Sequence, residues 1–335
     1  MRLADPLRKR AAMLAAVGRI VVTGSVAFDT IMEFAGRFAD LILPGREDFI
    51  NVSFLVERLE RRRGGTAANI AYTLALLGER PLLAAGVGYD FDDYGRALQE
   101  AGVDTSATLR CDDVPTASGF ITTDADANQI TAFFPGAMAR AAGVDVSRHE
   151  DVSAVVIGAD DAEAIAAHVE QAAAMGARLV FTPAQQIPAL PDEVLRAGLQ
   201  AAWIVAGNAY ELELIRSRTG MSIEELRAGR LLAVTRGRAG SELHSEAGVV
   251  KVPVAPPVEV IDPTGAGDAY VAGLLAGLRR GLPLESAGRM AALAATYVVE
   301  GTGPQTHGYS VEEFAARYAG TYGERIELAP GSPVS

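Results

Sequence analysis

Positions 262–270 of the chain read Asp-Pro-Thr-Gly-Ala-Gly-Asp-Ala-Tyr, and an apolar run follows at 271–275. This composition is typical of a helix start, where backbone N–H groups lack partners and the dipole is positive. Glycine lets such a backbone approach an anion closely. The carboxylate of Asp268 in the same turn could accept a proton from an attacking hydroxyl. The segment therefore predicts phosphoryl transfer, although a glycine-containing turn that only caps a buried helix has the same local pattern.

The composition narrows the class of protein. The 335 residues carry 30 basic and 42 acidic side chains, a net charge of −12, which disfavours nucleic-acid binding because that needs a basic surface. An anionic substrate remains compatible, since local N–H groups and Mg²⁺ can hold phosphate. With one cysteine and four scattered histidines, we expect a reducing, cytoplasmic environment and no structural zinc. No apolar run approaches the length of a membrane span.

Alternating buried strands and helices from residue 154 onward predict one doubly wound α/β domain, with a mostly parallel sheet covered by helices on both faces. We expect this domain at 19–325, with a small β-sheet lid from segments near 34–60 and 116–134. Residues 1–18 are interpreted as an N-terminal extension, because their basic start and apolar stretch are too short for a clear signal peptide. Residues 326–335 are expected to form a C-terminal tail. The predicted strands are 19–26, 82–88, 154–158, 178–182, 203–206 and 231–235; the predicted helices are 66–77, 161–175, 192–199, 209–218, 265–280 and 285–300.

Three further motifs are compatible with this architecture, in which ligands bind beyond the carboxyl ends of the strands. Residues 63–69 read Arg-Gly-Gly-Thr-Ala-Ala-Asn and open a helix. Asn208 and Glu211 follow a strand, and their i,i+3 spacing puts them on one face of a helix start. A glycine-bearing loop at 235–240 follows another strand.

In this order and spacing, the four motifs resemble the ribokinase-like (PfkB) family of sugar and nucleoside kinases, over residues 19–320. The resemblance implies a kinase that uses ATP with Mg²⁺. It also implies a role for each matching residue. Asp268 would be the catalytic base, with an anion hole at Gly265, Ala266 and Gly267; Asn208, Thr235, Gly237 and Gly240 would contact ATP; Glu211 and Asn208 would act on Mg²⁺, mainly through water; Asp29, Gly65 and Asn69 would contact the sugar.

Details within the family resemble the actinobacterial type of adenosine kinase, which implies phosphorylation of a 5′-hydroxyl. They include Ser25, Ser53 in the segment 49–56, the segment 133–138, and Gln186 in the segment 183–186. Phe120 and Phe134 could sandwich a purine base, or could instead pack the lid against the main sheet. Departures at Ala68, 183–184 and 303–307 leave the nucleoside open. A PfkB-type kinase for ribose, fructose or a related sugar is the alternative. A third hypothesis is a relative that binds and senses nucleosides but is catalytically silent.

The resemblance also implies a K⁺ site beside the anion-hole turn. Its oxygens would come from the loop of Asp262 and Thr264 and from the loop near Thr302 and Gly303. A homodimer formed through the lid is implied in the same way. No nucleic-acid or membrane partner is expected.

Overall fold

The structure, a computed structural model, describes residues 18–42 and 52–328. The strands in this part of the chain are β1 (Arg19–Thr23), β2 (Ala27–Glu33), β3 (Arg58–Gly64), β4 (Leu82–Ala84), β5 (Gly86–Gly88), β6 (Leu109–Cys111), β7 (Ala117–Thr123), β8 (Gln129–Phe134), β9 (Val152–Ile157), β10 (Arg178–Phe181), β11 (Ala202–Asn208), β12 (Leu231–Thr235), β13 (Ser241–Ser245) and β14 (Gly248–Val252). The helices are α1 (Phe38–Leu41), α2 (Thr66–Leu76), α3 (Asp92–Glu100), α4 (Ala162–Ala174), α5 (Asp192–Ala201), α6 (Ala209–Thr219), α7 (Ile223–Arg227), α8 (Ala266–Arg279), α9 (Leu284–Val299) and α10 (Val311–Tyr322).

The main sheet has eight strands in the order β14-β13-β12-β11-β10-β9-β1-β4. Strands from β12 to β4 run parallel, and β13 and β14 add an antiparallel edge. The expected doubly wound sheet is confirmed. The expected strand at 82–88 is wrong in one respect, because β4 joins the main sheet whereas β5 pairs with β6 in a separate two-stranded sheet.

Side chains of the central strands alternate between two apolar layers, as the period of two in a strand requires. Ile20 and Val22 point into the layer under α2, α8, α9 and α10. Val21 points into the opposite layer, under α4, α5 and α6. Both faces of the sheet are therefore buried. The loops that carry the motifs lie at the end of the sheet where the parallel strands have their carboxyl ends.

A second sheet, here called the lid sheet, has the order β3-β2-β7-β8. The hairpin of β7 and β8 lies within the expected segment 116–134, but the second strand of the sheet is β2, which lies before the expected segment 34–60. Within that segment only 58–60 is strand, and 43–51 lie outside the described residues. Since β2 follows β1 after a short turn, the lid sheet rises directly from the site edge of the main sheet.

The ends of the chain follow the expected division in part. The expected extension lies outside the described residues except for Gly18. Within the expected tail at 326–335, Ile326 and Leu328 are buried and belong to the same apolar layer as residues of α10. Among the described residues, no helix is both long and apolar enough to cross a membrane.

Candidate active site

Helix α8 begins in the turn that the sequence singled out. Gly265 is its N-cap with φ of 82°, a left-handed conformation that glycine adopts without strain. A Cβ at this position would lie 2.3 Å from the Cβ of Pro304. The N–H of Ala266 donates to the carbonyl of Pro263 at 3.1 Å, so this group of the predicted anion hole already has an acceptor. A Cβ placed on Gly267, in the first turn, would meet no atom of another element within 4 Å.

Asp268 lies in the first turn of α8 and accepts a hydrogen bond from Nδ2 of Asn69 at 2.8 Å. Desolvation raises the pKa of Asp268 to about 7, the charge of Glu211 adds to the rise, and the Asn69 hydrogen bond opposes it. A carboxylate with a pKa near neutrality suits a general base. The raised pKa of Asp268 is compatible with the general-base role that the sequence predicts for it.

Asn69 is itself held by a buried network that the sequence did not indicate. Nε2 of Gln305 donates to Oδ1 of Asn69 at 2.8 Å and to the hydroxyl of Tyr94 at 2.6 Å. The Tyr94 hydroxyl in turn donates to the carbonyl of Gly64 at 2.7 Å. Because Gln305 donates to the oxygen of the Asn69 amide, the nitrogen of that amide is turned toward Asp268.

Asp29 lies on β2, and its carboxylate occupies space left by two glycines on the neighbouring strands. A Cβ at Gly64 would lie 2.6 Å from Oδ2 of Asp29, and one at Gly119 would lie 2.8 Å from Oδ1. Desolvation raises the pKa of Asp29, the charge of Arg62 lowers it, and that of Asp262 raises it. Asp29 is thus a charged acceptor on the face of the lid sheet that looks toward the anion-hole turn.

The register of the lid sheet separates the predicted aromatic pair from Asp29. Asp29 pairs with Gly119, and Gly119 pairs with Phe133, so these three residues share one face, here called the inner face. Phe120 and Phe134 are each one residue away and therefore lie on the opposite, outer face. The expectation that they sandwich a base beside Asp29 disagrees with this register, and Phe133 is the aromatic residue on the inner face.

Four other predicted substrate residues have different placements. Oγ of Ser25 accepts the N–H of Thr66 at 3.0 Å and is buried; this bond satisfies the start of α2. A Cβ at Gly65 would lie 2.5 Å from the carbonyl of Ser25, so glycine is required there for packing. Gln186 donates to the carbonyl of Asp160 at 2.7 Å. Ser53 is exposed.

Two cavities meet at the start of α8. The larger, of about 620 Å³, is bordered by Thr235, Gly237, Gly240 and, from α8, Ala266 and Gly267. The smaller, of about 230 Å³, is bordered by Asn208, Glu211, Thr235, Gly267 and Asp268. Thr235 and Gly267 border both, so an elongated ligand could place an apolar ring in the large cavity and a polar end beside Asp268.

Asn208 and Glu211 form a reciprocal capping box at the start of α6. Oδ1 of Asn208 accepts the N–H of Glu211, and Oε2 of Glu211 accepts the N–H of Asn208, both at 2.9 Å. No cluster of three or more His, Cys, Asp or Glu side chains in the described residues could hold a metal by itself. The single carboxylate of Glu211 fits Mg²⁺ that is held mostly by phosphate oxygens and water.

The carboxylate of Asp262 fits a K⁺ ion poorly. Oδ1 of Asp262 accepts the N–H of Thr264 at 2.9 Å, and Oδ2 accepts Nη1 of Arg62 at 3.0 Å. Both carboxylate oxygens are therefore engaged by groups of the protein, and one of these groups is already a cation.

The fold and the site together define a phosphotransferase that acts on an alcohol group: a nucleotide-sized cleft ends at a helix N-terminus beside a carboxylate of raised pKa. Residues 21–310 match the model of the pfkB family carbohydrate kinases. The chain belongs to this family, and it is an ATP-dependent nucleoside or sugar kinase.

Relatives within the family include several nucleoside kinases. The chain is 32% identical over 278 residues to the nucleoside kinase of Methanothermobacter thermautotrophicus, covering 80% of this chain and 89% of the relative. It is 30% identical to the fructokinase of Salmonella typhimurium, covering 68% and 81%. The structure of Burkholderia thailandensis nucleoside kinase in complex with inosine matches with a TM-score of 0.83 and 35% identity, covering 91% of this chain and 99% of that one.

Proposed function

We propose that the protein transfers the γ-phosphoryl group of ATP to the 5′-hydroxyl of a purine ribonucleoside, with adenosine as the expected substrate and AMP as the product. The observation that carries this proposal is the seat of Asp29 between Gly64 and Gly119, on the lid face that also bears Phe133. A charged acceptor in that seat suits vicinal ribose hydroxyls, and an aromatic face suits a base.

Asp268 would carry the chemistry on the acceptor side. As the 5′-oxygen forms its bond to the γ-phosphorus, its proton passes to the Asp268 carboxylate, and the bond between the γ-phosphorus and the ADP oxygen breaks. The N–H of Gly267, in the first turn of α8, would stabilise the charge on the transferred group. Asn69 holds Oδ2 of Asp268, which leaves Oδ1 to meet the hydroxyl.

The nucleotide would lie across the two cavities. The larger one has an apolar lining suited to adenine, and it reaches the smaller one at Thr235 and Gly267. Mg²⁺ bound to the phosphates would supply charge neutralisation. Glu211, on the wall of the smaller cavity, would hold that ion through water.

The lid geometry supports a nucleoside over a bare sugar. Asp29 and Phe133 are separated by β7, which is two strand spacings or about 10 Å across the sheet. A pentose held at Asp29 leaves this distance unfilled, whereas a nucleoside can extend a base toward Phe133. The relatives named nucleoside kinases, one of them in complex with inosine, favour the same class.

The alternative is a sugar kinase for ribose, fructose or a related carbohydrate. The fructokinase relative favours it, because a charged acceptor such as Asp29 would serve any vicinal diol. A cytoplasmic location stays a prediction under either function.

A substrate panel with an ADP-release assay tests the proposal. The panel holds adenosine, inosine, guanosine, cytidine, 2′-deoxyadenosine, ribose and fructose, and the product position is assigned by ³¹P NMR. We expect purine ribonucleosides to give the highest kcat/KM and 2′-deoxyadenosine to be poorer. The variant Asp29→Asn should reduce the difference between adenosine and 2′-deoxyadenosine. Preference for a free sugar would reject the nucleoside proposal, and equal use of both nucleosides would reject the role of Asp29.

A further inference from the structure

Arg62 connects the lid sheet to the anion-hole turn. It lies on β3 in register with Asp29 and therefore on the inner face. Its Nη1 donates to Oδ2 of Asp262 at 3.0 Å, and its Nη2 donates to Glu60 at 2.9 Å. The side chains of Arg62 and Asp262 are only 16% and 18% exposed. Solvent and salt screen such a pair less than a pair on the open surface.

The Arg62 side chain also lies against the loop that follows α9. A Cβ placed on Gly303 would be 3.2 Å from Cδ of Arg62 and 4.0 Å from its Nη1. The guanidinium thus lies between the Asp262 loop and the Gly303 loop, the two loops expected to supply oxygens to a K⁺ ion. A guanidinium remains protonated at any pH at which the protein is folded, so the positive charge between the loops is permanent.

The bond to Asp262 continues into the turn itself. The other oxygen of Asp262 accepts the N–H of Thr264 at 2.9 Å, and the turn then closes through the bond from Ala266 to Pro263. A displacement of Arg62 would therefore release the residue that fixes the start of the anion-hole turn.

We propose that Arg62 is the built-in cation of this turn: its guanidinium takes the place of a monovalent ion and makes turnover independent of K⁺. It is a positioning residue, which orders the turn only while the lid sheet lies over the site. The inference rests on the function proposed above, because that proposal supplies the phosphoryl acceptor, a purine ribonucleoside, for the assays.

The first measurement compares KCl, NaCl and tetramethylammonium chloride at fixed Mg²⁺ and ionic strength. We expect wild-type kcat and the thermal midpoint Tm to be the same in the three salts, within about twofold for kcat. Activation by K⁺ of fivefold or more would overturn the inference. Absence of nucleoside phosphorylation in every salt would reject the proposed function instead, and the Tm comparison, made without substrate, would still decide the cation question.

The second measurement uses Arg62→Met, which removes the charge and keeps the stem. We expect kcat to fall by about 10²-fold, as for other small misplacements of catalytic groups. K⁺, but not tetramethylammonium, should then raise both kcat and Tm of the variant. Arg62→Lys keeps the charge and should show no K⁺ response, which preserves a test if the Met variant does not fold.

The matched control is Arg61→Met. Arg61 is the next residue of β3, on the outer face, where it pairs with Asp90. The Arg61→Met variant should respond to the three salts as wild type does, and its kcat should be close to that of wild type. A K⁺ response of Arg61→Met equal to that of Arg62→Met, or none in Arg62→Met, would overturn the inference.

Discussion

The amide of Asn69 donates to Oδ2 of Asp268 at 2.8 Å, although 199 positions separate the two residues in the chain. Asn69 comes from the first turn of α2 and Asp268 from the first turn of α8. The contact therefore fixes the relative position of two helix starts, one beside the lid sheet and one at the anion-hole turn. It also restricts the carboxylate so that only Oδ1 remains for a substrate hydroxyl.

The first prediction concerns Asp268→Asn, which keeps the shape and removes the proton acceptor. General-base catalysis contributes about 10²–10⁴-fold, so kcat should fall by that factor. Nucleoside affinity, measured by calorimetry without ATP, should change little. A variant that stays within tenfold of wild-type kcat would show that Asp268 is not the base.

The second prediction concerns pH. The pKa of Asp268 is raised from its ordinary value of 3.8 to about 7, and the base must be ionised to act. The kcat/KM of the free enzyme should therefore fall about tenfold per pH unit below 7 and level off above it.

The same rise in the pKa of Asp268 makes its ionisation in the folded state unfavourable. The contribution of Asp268 to stability is therefore greatest below pH 3.8 and is lost as the pH rises toward 7. Asp268→Asn should gain stability relative to wild type between pH 4 and 7 in urea titrations, and a constant difference would contradict this sign.

The third prediction concerns Gln305→Leu, which removes the donor that orients the Asn69 amide. The substitution removes the hydrogen bonds of Gln305 to Asn69 and to Tyr94. The bond to Asn69 orients the amide, and its loss is worth about 1 kcal/mol, so kcat should fall roughly fivefold. Because the Asn69 bond lowers the pKa of Asp268, the acid limb of the rate profile should also move to higher pH. A lower kcat with an unmoved limb would mean that Gln305 acts through folding alone.

Local sequence was sufficient to predict several of the elements that carry this candidate site. The glycines and the carboxylate at 262–270 indicate a helix start, and α8 begins within that segment. Alternating apolar runs announce the strands from β9 to β12. The antiparallel pair β13 and β14 and the final helix α10 were not predicted, although they are as long as the predicted β12 and α6. Charged and polar residues interrupt their apolar patterns.

Long-range contacts could not be predicted from the sequence alone. Gln305 lies in the loop that departs from the family pattern, and nothing local indicates that it faces Asn69 and Tyr94. The register of the lid sheet is a second property that the local sequence does not determine. Phe133 and Phe134 are adjacent, and a shift of one residue exchanges the inner and outer faces; only the pairing of Gly119 with Phe133 decides between them.

The fourth prediction compares these neighbours. Phe133→Ala should weaken adenosine binding by about 1–3 kcal/mol, the typical loss when an aromatic stack on a base is removed, and should leave ribose binding unchanged. Phe134→Ala is the matched control and should bind adenosine as wild type does. Calorimetry without ATP measures both, and a larger loss for Phe134→Ala would restore the original assignment.

The fifth prediction concerns the outer face of the lid sheet, through which the family resemblance implies a dimer. Leu59, Phe120, Ile130 and Phe134 lie on this face, each between 43% and 64% exposed. Apolar side chains clustered at this exposure are typical of an interface, and a second copy offers the same surface. Ile130→Lys should raise the dimer dissociation constant by about 10²-fold or more, since like charges brought together at an interface cost several kcal/mol. Sedimentation velocity measures the change, and Val249→Lys, at an exposed apolar position on β14, is the control. A wild-type monomer, or an Ile130→Lys variant that dimerises as wild type does, would exclude pairing through this face.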